Sequence, residues 1–358
     1  MVRMIISPLR WALATVIVTL STFSTVASMH ERCSLSPSLC QEVSNFLVVL
    51  DAGSTGTRAH LYYYPKRELQ PKYLPLIVTG PITLPTPLGH VEVYPGISAF
   101  VYNHQGLDTY FDPLFDEAAR IIREHEHGKS VTLSHVPLYL GATAGMRQLR
   151  EEDSDALMGA VNRVLKGGRC PFGYRRKEQA RILSGEEEGA FAWLSVNALH
   201  AVISPSPWET LGALDMGGAS AQVAFVPEET SILAGFFPMH FGGAENGPIH
   251  LFTHSFLKFG KVAAFQRSAD SLLAVSESSV IEHPCMPRGV MWRVAFDEFG
   301  VSTENPHPER STGPVELQGA SNFTECRALC RSLLPREPCF QPPCTLAGVY
   351  TPRIGNSR

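Results

Sequence analysis

The fold is decided by a stretch that reads Phe46-Leu47-Val48-Val49-Leu50-Asp51-Ala52-Gly53-Ser54-Thr55-Gly56-Thr57. Its first five residues form a continuous apolar run, which is typical of a strand buried on both faces. The run ends in a polar loop of small and hydroxyl residues, and residues 58–64 again have the composition of a strand. The stretch therefore predicts a strand, a tight loop and a second strand.

The same pattern recurs further along the chain. Residues 210–214 lead into a second loop, which reads Asp215-Met216-Gly217-Gly218-Ala219-Ser220-Ala221-Gln222, and residues 223–226 have the composition of a return strand. The first aspartates of the two loops lie 164 positions apart (215 − 51). Solenoid repeats have periods of roughly 20–50 residues, so a repeat of this length predicts a duplicated lobe.

Alternating strands and helices are predicted around the two loops. Helical spacing of apolar residues marks 115–125, 151–165 and 190–200, and short apolar runs mark strands at 136–140 and 180–183. Strands that alternate with helices indicate an α/β architecture. At roughly 100–200 residues per domain, a chain of 358 residues is long enough for two lobes. A net charge of −4 without clustered Lys or Arg argues against nucleic acid as a partner.

The first residues predict an export segment. Arg3 and Arg10 precede an uncharged run over 11–27, and the small residues 24–28 at its end fit a signal-peptidase site. Residues 1–28 are therefore interpreted as a signal peptide or an uncleaved signal anchor, followed by a linker over 29–45. Cleavage is favoured over membrane anchoring, because a membrane span needs about 20 mostly apolar residues.

The cysteines fit an oxidising compartment. Their number is even, and they are Cys33, Cys40, Cys170, Cys285, Cys326, Cys330, Cys339 and Cys344. No Cys-x-x-Cys pair has a matching partner, so disulfides are favoured over a zinc site. Asn322-Phe323-Thr324 is a glycosylation sequon, which has meaning only in an exported chain. These features predict the secretory pathway, with the extracellular space, the cell surface or the Golgi lumen as the location.

The two Asp-x-Gly loops have the composition of phosphate-binding sites. Small residues let backbone N–H groups approach an anion closely, and consecutive N–H groups form an anion-binding concavity. Ser and Thr hydroxyls add donors, and a carboxylate at the start of each loop can hold a hydrated divalent cation. One such loop is more often a plain tight turn. Two matched copies, each after an apolar strand, predict a clamp on a polyphosphate.

A third polar segment is the glutamate triplet 186–188, which lies between Gly185 and Gly189. One interpretation is a solvated acidic run, since acidic residues at a helix start also interact favourably with the helix dipole. The other is a general base that orients water onto a terminal phosphorus. The residues alone leave both interpretations open. The sequence holds no Walker-type loop and no Gly-x-Ser-x-Gly elbow, so neither of those enzyme classes has support.

Four ordered motifs resemble the first four conserved regions of the ectonucleoside triphosphate diphosphohydrolases, the apyrase family. The motifs are Asp51–Arg58 (DAGSTGTR), Leu140–Arg147 (LGATAGMR), Ser184–Gly189 (SGEEEG) and Leu214–Gln222 (LDMGGASAQ). Residues 253–257 and the later cysteines are also similar to this family. The resemblance covers roughly residues 45 to 350 and implies hydrolysis of nucleoside tri- or diphosphates to lower phosphates. It implies a two-lobed, actin-like (ribonuclease H-like) α/β fold with the nucleotide in a cleft.

The resemblance also implies a role for each motif residue. Asp51 and Asp215 would hold Ca²⁺ or Mg²⁺ through water. Glu188, the last residue of the triplet, matches the catalytic base of the family, whereas the two glutamates before it do not. The phosphate-binding residues that the resemblance implies are Ser54, Thr55, Gly56, Thr57, Arg58, Thr143, Ala144, Gly217, Gly218, Ala219, Ser220 and Gln222.

Further expectations follow from the same resemblance. The first lobe would span 46–180 and the second 181–358, with the second lobe and a C-terminal return helix incomplete because family members continue beyond the last residue. Lys261 falls where some members place a basic residue near the nucleobase. Lys258 stands where many members carry a disulfide cysteine. The family implies a local disulfide between Cys339 and Cys344.

Two alternatives to hydrolysis remain. A sugar or acetate kinase would keep the fold and change the acceptor, but the export segment argues against it, because ATP-dependent kinases are mostly intracellular. A truncated paralogue would bind nucleotide without activity. The complete set of phosphate-site residues argues against such decay, since drift would have changed at least one of them.

Overall fold

The structure is a computed structural model and describes residues 45–64, 84–200, 209–229, 234–239, 248–276, 278–294, 315–334 and 337–354. The predicted leader, the linker up to 44 and the cysteines Cys33 and Cys40 lie outside the described residues. The chain divides into two compact units. The first comprises 1–217, 221–256 and 353–358, and the second comprises 218–220 and 257–352.

The first sheet of the first unit has five strands in the order β3-β2-β1-β4-β5. Strand β1 is central, pairs antiparallel with β2 and pairs parallel with β4. Both faces of β1 are buried, as its apolar run predicts. The strands are β1 (Phe46–Ala52), β2 (Thr57–Tyr63), β3 (Thr86–Val93), β4 (Leu138–Ala142) and β5 (Ala180–Ile182).

Four of the described helices lie between β3 and β5 in the chain. They are α1 (Leu107–Tyr110), α2 (Asp112–Glu124), α3 (Ala144–Arg147) and α4 (Glu151–Lys166). The buried residues of α2 are spaced by three to four positions, so they form one stripe that joins the core of the sheet. Acidic residues begin α4 and basic residues end it, as the helix dipole favours. The predicted helices at 115–125 and 151–165 are therefore found within a few residues.

The second sheet of the first unit has the order β6-β7-β9-β8. Its strands are β6 (Ala213–Met216), β7 (Ser220–Phe225), β8 (Phe236–Met239) and β9 (Ile249–Leu257). Helix α5 (Gly185–Leu199) supplies buried Phe191, Trp193 and Leu194 to a core that also contains residues of β6, β7 and β9. The sheet thus has the same helix-backed construction as the first.

The two predicted strand–loop–strand segments fold into hairpins with the same register. Asp51 lies opposite Arg58 across the first hairpin, and Asp215 lies opposite Gln222 across the second. Each aspartate is the penultimate residue of its strand. The loop between the last paired residues has the same length in both hairpins, 53–56 in the first and 217–220 in the second. The repeat is real at the level of these hairpins, and the predicted lobe boundaries stay a prediction.

The described residues of the second unit form a small sheet of order β10-β12-β11 and two helices. They are α6 (Lys261–Leu273), β10 (Val280–His283), β11 (Met291–Val294), β12 (Val315–Gly319) and α7 (Phe323–Ser332). Apolar residues of α6 pack on Ile281 and Leu317 of the sheet. Together with the two α/β sheets, this arrangement confirms the α/β fold class.

Two disulfides lie in the second unit. Cys339 pairs with Cys344, as the family resemblance implies, and Cys285 pairs with Cys326. Cys170 and Cys330 carry free thiols. Among the described helices, none combines the length and apolar character that crossing a membrane requires.

Candidate active site

The helix that carries the glutamate triplet begins earlier than the sequence pattern predicts. A start at residue 190 is wrong, because Ser184 caps a helix that begins at Gly185. The Ser184 hydroxyl accepts the Glu187 N–H at 3.1 Å, and the Glu187 carboxylate accepts the Ser184 N–H at 3.0 Å. This reciprocal pair is a capping box, whose Ser-x-x-Glu signature is visible in the sequence. Glu188 therefore lies in the first helical turn.

Glu188 is buried, unlike a solvated acidic residue, with 7% of its surface exposed. Its Oε2 accepts a hydrogen bond from the Arg147 guanidinium at 2.8 Å and one from the Gln222 side-chain amide at 3.1 Å. The same amide nitrogen of Gln222 donates to the Ser255 hydroxyl at 2.9 Å. Three separate motifs thus meet at one carboxylate.

The environment of Glu188 tunes its protonation. Burial raises the pKa of Glu188 to about 7, which Arg147 opposes and the charges of Asp215 and Asp51 reinforce. A carboxyl group that titrates near neutrality can both hold and release a proton at physiological pH, which is what a general base requires. Of the two interpretations that the sequence leaves open, the geometry favours the general base.

Arg147 is a site residue that the sequence argument did not single out. It ends the short helix α3, and its guanidinium donates to the Leu183 carbonyl at 2.8 Å as well as to Glu188. The first contact fixes the chain just before the Ser184 cap. Arg147 closes the second of the four motifs that resemble the family, so its position at the end of that motif was the available signal. Ser255, on β9, was likewise missed.

The first phosphate loop is backed by the segment that follows β3. Gly96 approaches it so closely that a Cβ atom there would lie 2.5 Å from the Gly53 carbonyl oxygen and 2.7 Å from that of Ser54. Ser54 and Thr55 are partly exposed, and their contact with phosphate stays a prediction. The loop closes on itself through the Gly53 N–H, which donates to the Gly56 carbonyl at 3.0 Å.

Other residues that were predicted to bind phosphate, in or next to the first sheet, are buried. The Thr57 hydroxyl is buried and accepts a hydrogen bond from Tyr110 at 2.9 Å. Arg58 is 7% exposed and forms an ion pair with Glu92 on the neighbouring strand. Thr143 and Ala144 are buried at the end of β4, where the Thr143 N–H donates to the Ala52 carbonyl at 3.1 Å. These residues support the loop from behind, and their contact with phosphate stays a prediction.

The middle of the second predicted phosphate loop, 218–220, belongs to the second unit. The Gly218 carbonyl accepts the N–H groups of Val262 and Ala263 at 2.9 and 3.0 Å, and the Ala219 carbonyl accepts that of Lys258 at 2.8 Å. The N-terminus of α6 is thus bonded to the back of the loop. The contacts of Gly217 and Ser220 with phosphate stay predictions, as does the contact of Lys261, the exposed first residue of α6, with the nucleobase.

The residues predicted to hold a divalent cation suit that purpose. Asp51 and Asp215 occupy equivalent positions in the two hairpins and are partly exposed. The negative charge of each raises the pKa of Glu188. Carboxylate oxygens are the ligands that Ca²⁺ and Mg²⁺ prefer, and Mg²⁺ usually retains several waters. A cation at these aspartates would offset the accumulation of negative charge around Glu188.

Comparison with known proteins places these features in a family. The profile of the GDA1/CD39 (nucleoside phosphatase) family matches residues 38–358. Ectonucleoside triphosphate diphosphohydrolase 1 of Bos taurus is 31% identical over 86% of this chain and 60% of its own length. Ectonucleoside triphosphate diphosphohydrolase 2 of Homo sapiens is 32% identical over 87% of this chain and 61% of its own length. The chain therefore spans roughly three fifths of these relatives.

A solved structure supports the fold. A crystal structure of nucleoside triphosphate hydrolases from Neospora caninum superposes with a TM-score of 0.61 at 18% sequence identity. The superposition covers 91% of this chain and 72% of that one. The likeness shows that the described elements follow a known arrangement, and it says nothing of substrate.

Proposed function

Because the chain belongs to the GDA1/CD39 (nucleoside phosphatase) family, we propose that it hydrolyses nucleoside tri- or diphosphates and releases inorganic phosphate. The observation that carries this proposal is the buried Glu188, whose pKa is about 7 and whose Oε2 is held by Arg147 and Gln222. With Oε2 held in this way, the proposal assigns to the other carboxylate oxygen the role of accepting a proton from water. The nearby Asp51 and Asp215 support the proposal, because they are suited to a cation that accompanies phosphates.

In the proposed reaction, Glu188 accepts a proton from water while that water attacks the terminal phosphorus in line. Arg147 and Gln222 keep the carboxylate in one orientation during the transfer. The hydroxyl groups of Ser54 and Thr55 and the backbone of 217–220 donate to the oxygens of the transferred phosphoryl group. When bound, Ca²⁺ or Mg²⁺ at Asp51 and Asp215 would neutralise charge on the phosphates.

The setting of the reaction is part of the proposal. We propose that the chain acts in the secretory pathway, either free after cleavage of residues 1–28 or anchored by them. The two disulfides of the second unit support an oxidising compartment. The sequon at Asn322 is consistent with export, because Asn322 is partly exposed, its side-chain oxygen caps α7, and its amide nitrogen would carry the glycan.

The test is phosphate release by the full chain, expressed through a secretory host, from ATP, ADP, UTP and UDP. We expect release in the presence of Ca²⁺ or Mg²⁺ and its loss on chelation, because Asp51 and Asp215 then face the phosphates without a cation. Readdition of either ion should restore activity. Release that persists unchanged in excess chelator would contradict the metal part of the proposal, and no release from folded protein would contradict hydrolysis.

A second candidate function is nucleotide binding without hydrolysis. It requires only the two hairpin loops and their aspartates Asp51 and Asp215, and it does not require Glu188 to act as a base. Equilibrium binding of a non-hydrolysable nucleotide separates the two functions. Binding without phosphate release would support the second candidate, whereas release that depends on Glu188 would support the first.

Arg147→Met is expected to move the acid limb of the activity profile to higher pH. Arg147 lowers the pKa of Glu188, so removal of its charge raises that pKa further and more of the base is protonated at neutral pH. A hydrogen bond to a charged group contributes about 1.5–3 kcal/mol, which corresponds to roughly one to two pH units. The measurement is kcat/KM against pH at a fixed cation concentration.

Arg147→Lys is the matched control, because it keeps the charge and loses the fork that also reaches Leu183. We expect its acid limb to shift less than that of Arg147→Met. An unchanged limb in Arg147→Met would show that Glu188 is not the group that titrates in the reaction.

A further inference from the structure

Three cysteine sulfurs lie together in the second unit, outside the candidate active site. The Sγ atoms of Cys285, Cys326 and Cys330 are all within 4.8 Å of one another. Cys285 and Cys326 form a disulfide, and Cys330 is an exposed free thiol. A free thiol at this distance from a disulfide is a nucleophile beside its electrophile.

The helix explains how one cysteine can have two partners. Cys326 and Cys330 are four residues apart on α7, so their side chains lie on the same face, one turn from each other. Cys285 lies in the turn after β10, where its N–H donates to the His283 ring at 3.2 Å. The turn therefore presents a fixed sulfur to either of two sulfurs on the helix.

We propose that this cluster is a thiol–disulfide exchange site. The Cys330 thiol loses its proton, its thiolate attacks Sγ of Cys285, the bond between Cys285 and Cys326 breaks, and Cys326 leaves as a thiolate that takes up a proton. One sulfur–sulfur bond forms and one breaks. The number of thiols and the overall oxidation state stay the same, so the step needs no external oxidant or reductant.

The exchange moves the attachment point along the helix. Pairing of Cys285 with Cys330 in place of Cys326 shifts the tether by four residues, which is about 6 Å of helix axis. At present the helix is held at its start by the Asn322 cap and near its end by Arg267, which donates to the Leu333 carbonyl. Both contacts are made with the helix in the position, or register, in which Cys326 pairs with Cys285.

Arg267 connects this register to the second phosphate loop. Its guanidinium also donates to the Lys258 carbonyl at 3.3 Å and lies 4.7 Å from the centre of the Phe259 ring. The Lys258 N–H in turn donates to Ala219 of the loop. A shift of α7 would therefore alter the support of that loop. This last step rests on the proposed function, whereas the exchange itself does not.

The exchange is tested by Cys326→Ser. Iodoacetamide labelling of the native chain at pH 8, acid quench and peptide mapping without reduction identify the bonds. We expect Cys285 to pair with Cys330, which leaves no free thiol in the cluster. Cys285→Ser is the matched control and should label at both helix cysteines. Labelling of both Cys285 and Cys330 in Cys326→Ser would overturn the proposal.

The unsubstituted chain gives an independent readout, should Cys326→Ser fail to fold. The proposal predicts label on both Cys326 and Cys330, and the loss of label from Cys326 in Cys330→Ser. Label at Cys330 alone would overturn it. Cys170 serves as an internal reference for unfolding, because burial raises the pKa of its thiol to about 11 and keeps it from reacting in the native chain.

Activity measurements then test whether the choice of partner for Cys285 changes the rate of phosphate release. Cys330→Ser, which holds the present pairing, should release phosphate at least as fast as the unsubstituted chain. Cys326→Ser should release it roughly five-fold or more slowly, a size typical of coupling between sites. Equal rates would overturn the coupling and leave the exchange intact. Because mapping needs no substrate, failure of the proposed hydrolysis would not be mistaken for failure of the exchange.

Discussion

Glu188→Gln is expected to lower phosphate release by about a hundred-fold to ten thousand-fold, the range that general base catalysis contributes. Glutamine keeps the shape of the side chain and its bond from Arg147, but it cannot accept the proton of the attacking water. The loss should appear in kcat more than in KM, because nucleotide binding is assigned to the two loops. The measurement is steady-state release with ATP and ADP at saturating cation.

The same substitution should stabilise the chain above neutral pH. The pKa of Glu188 rises from an ordinary value of 4.5 to about 7 on folding, so the buried carboxylate destabilises the folded state increasingly between these pH values. The full cost above pH 7 is about 3 kcal/mol. Glutamine removes that cost, and the weaker partner it offers Arg147 offsets a part. Thermal unfolding should show a larger gain at pH 8 than at pH 5.

Glu186→Gln is the matched control for both readouts. Glu186 lies in the same helical turn and is partly exposed. Its substitution should leave phosphate release within about two-fold and should not produce the pH-dependent gain in stability, since surface changes usually stay within about 0.5 kcal/mol. If Glu188→Gln retained activity comparable to that of this control, the base would have to be another residue.

The hairpins were predictable because their causes are local. A continuous apolar run, a loop of small residues and a second run dictate strand, turn and strand, and the repeat of this pattern with the same loop length dictates the common register of Asp51 and Asp215. The chemistry expected of the loops followed from their composition in the same way.

The surroundings of Glu188 could not be predicted, because they depend on contacts between distant segments. Arg147 is 41 residues away in sequence and Gln222 is 34 residues away. Charge patterning along the chain cannot show which of three adjacent glutamates is buried. The helix start could have been predicted, because the Ser184 capping box is a local signal. The predicted start at residue 190 instead followed the second of the two glycines that flank the triplet.

The sulfur cluster also combines local features, which the sequence shows, with contacts between distant segments, which it does not show. Helical periodicity places Cys326 and Cys330 on one face of α7, which is local information. The approach of Cys285 requires the fold of the small sheet, since the disulfide spans 41 residues. The sequence favoured disulfides without showing which cysteines pair, and among the described cysteines the structure leaves Cys330 and Cys170 as thiols.

Gly260→Ala is expected to lower kcat by about a hundred-fold, the effect of displacing catalytic groups by about 1 Å. A Cβ atom at Gly260 would lie 2.5 Å from the Ala219 nitrogen, the Gly218 carbonyl carbon and the Ser220 nitrogen, all of them backbone atoms. Backbone cannot rotate away as a side chain can, so the second phosphate loop or the start of α6 must move. Overpacking of this kind also destabilises by about 1–3 kcal/mol.

Gly159→Ala separates the loop effect from a general effect of adding a methyl group. Gly159 lies in α4, and a Cβ atom there meets nothing within 4 Å. Alanine is a better helix former, so this variant should gain up to about 1 kcal/mol of stability and keep its activity. A folded Gly260→Ala protein that released phosphate as fast as Gly159→Ala would show that the second loop does not bind the reacting phosphate. A selective loss in Gly260→Ala would support the assignment, because its altered contacts are all with backbone atoms of that loop.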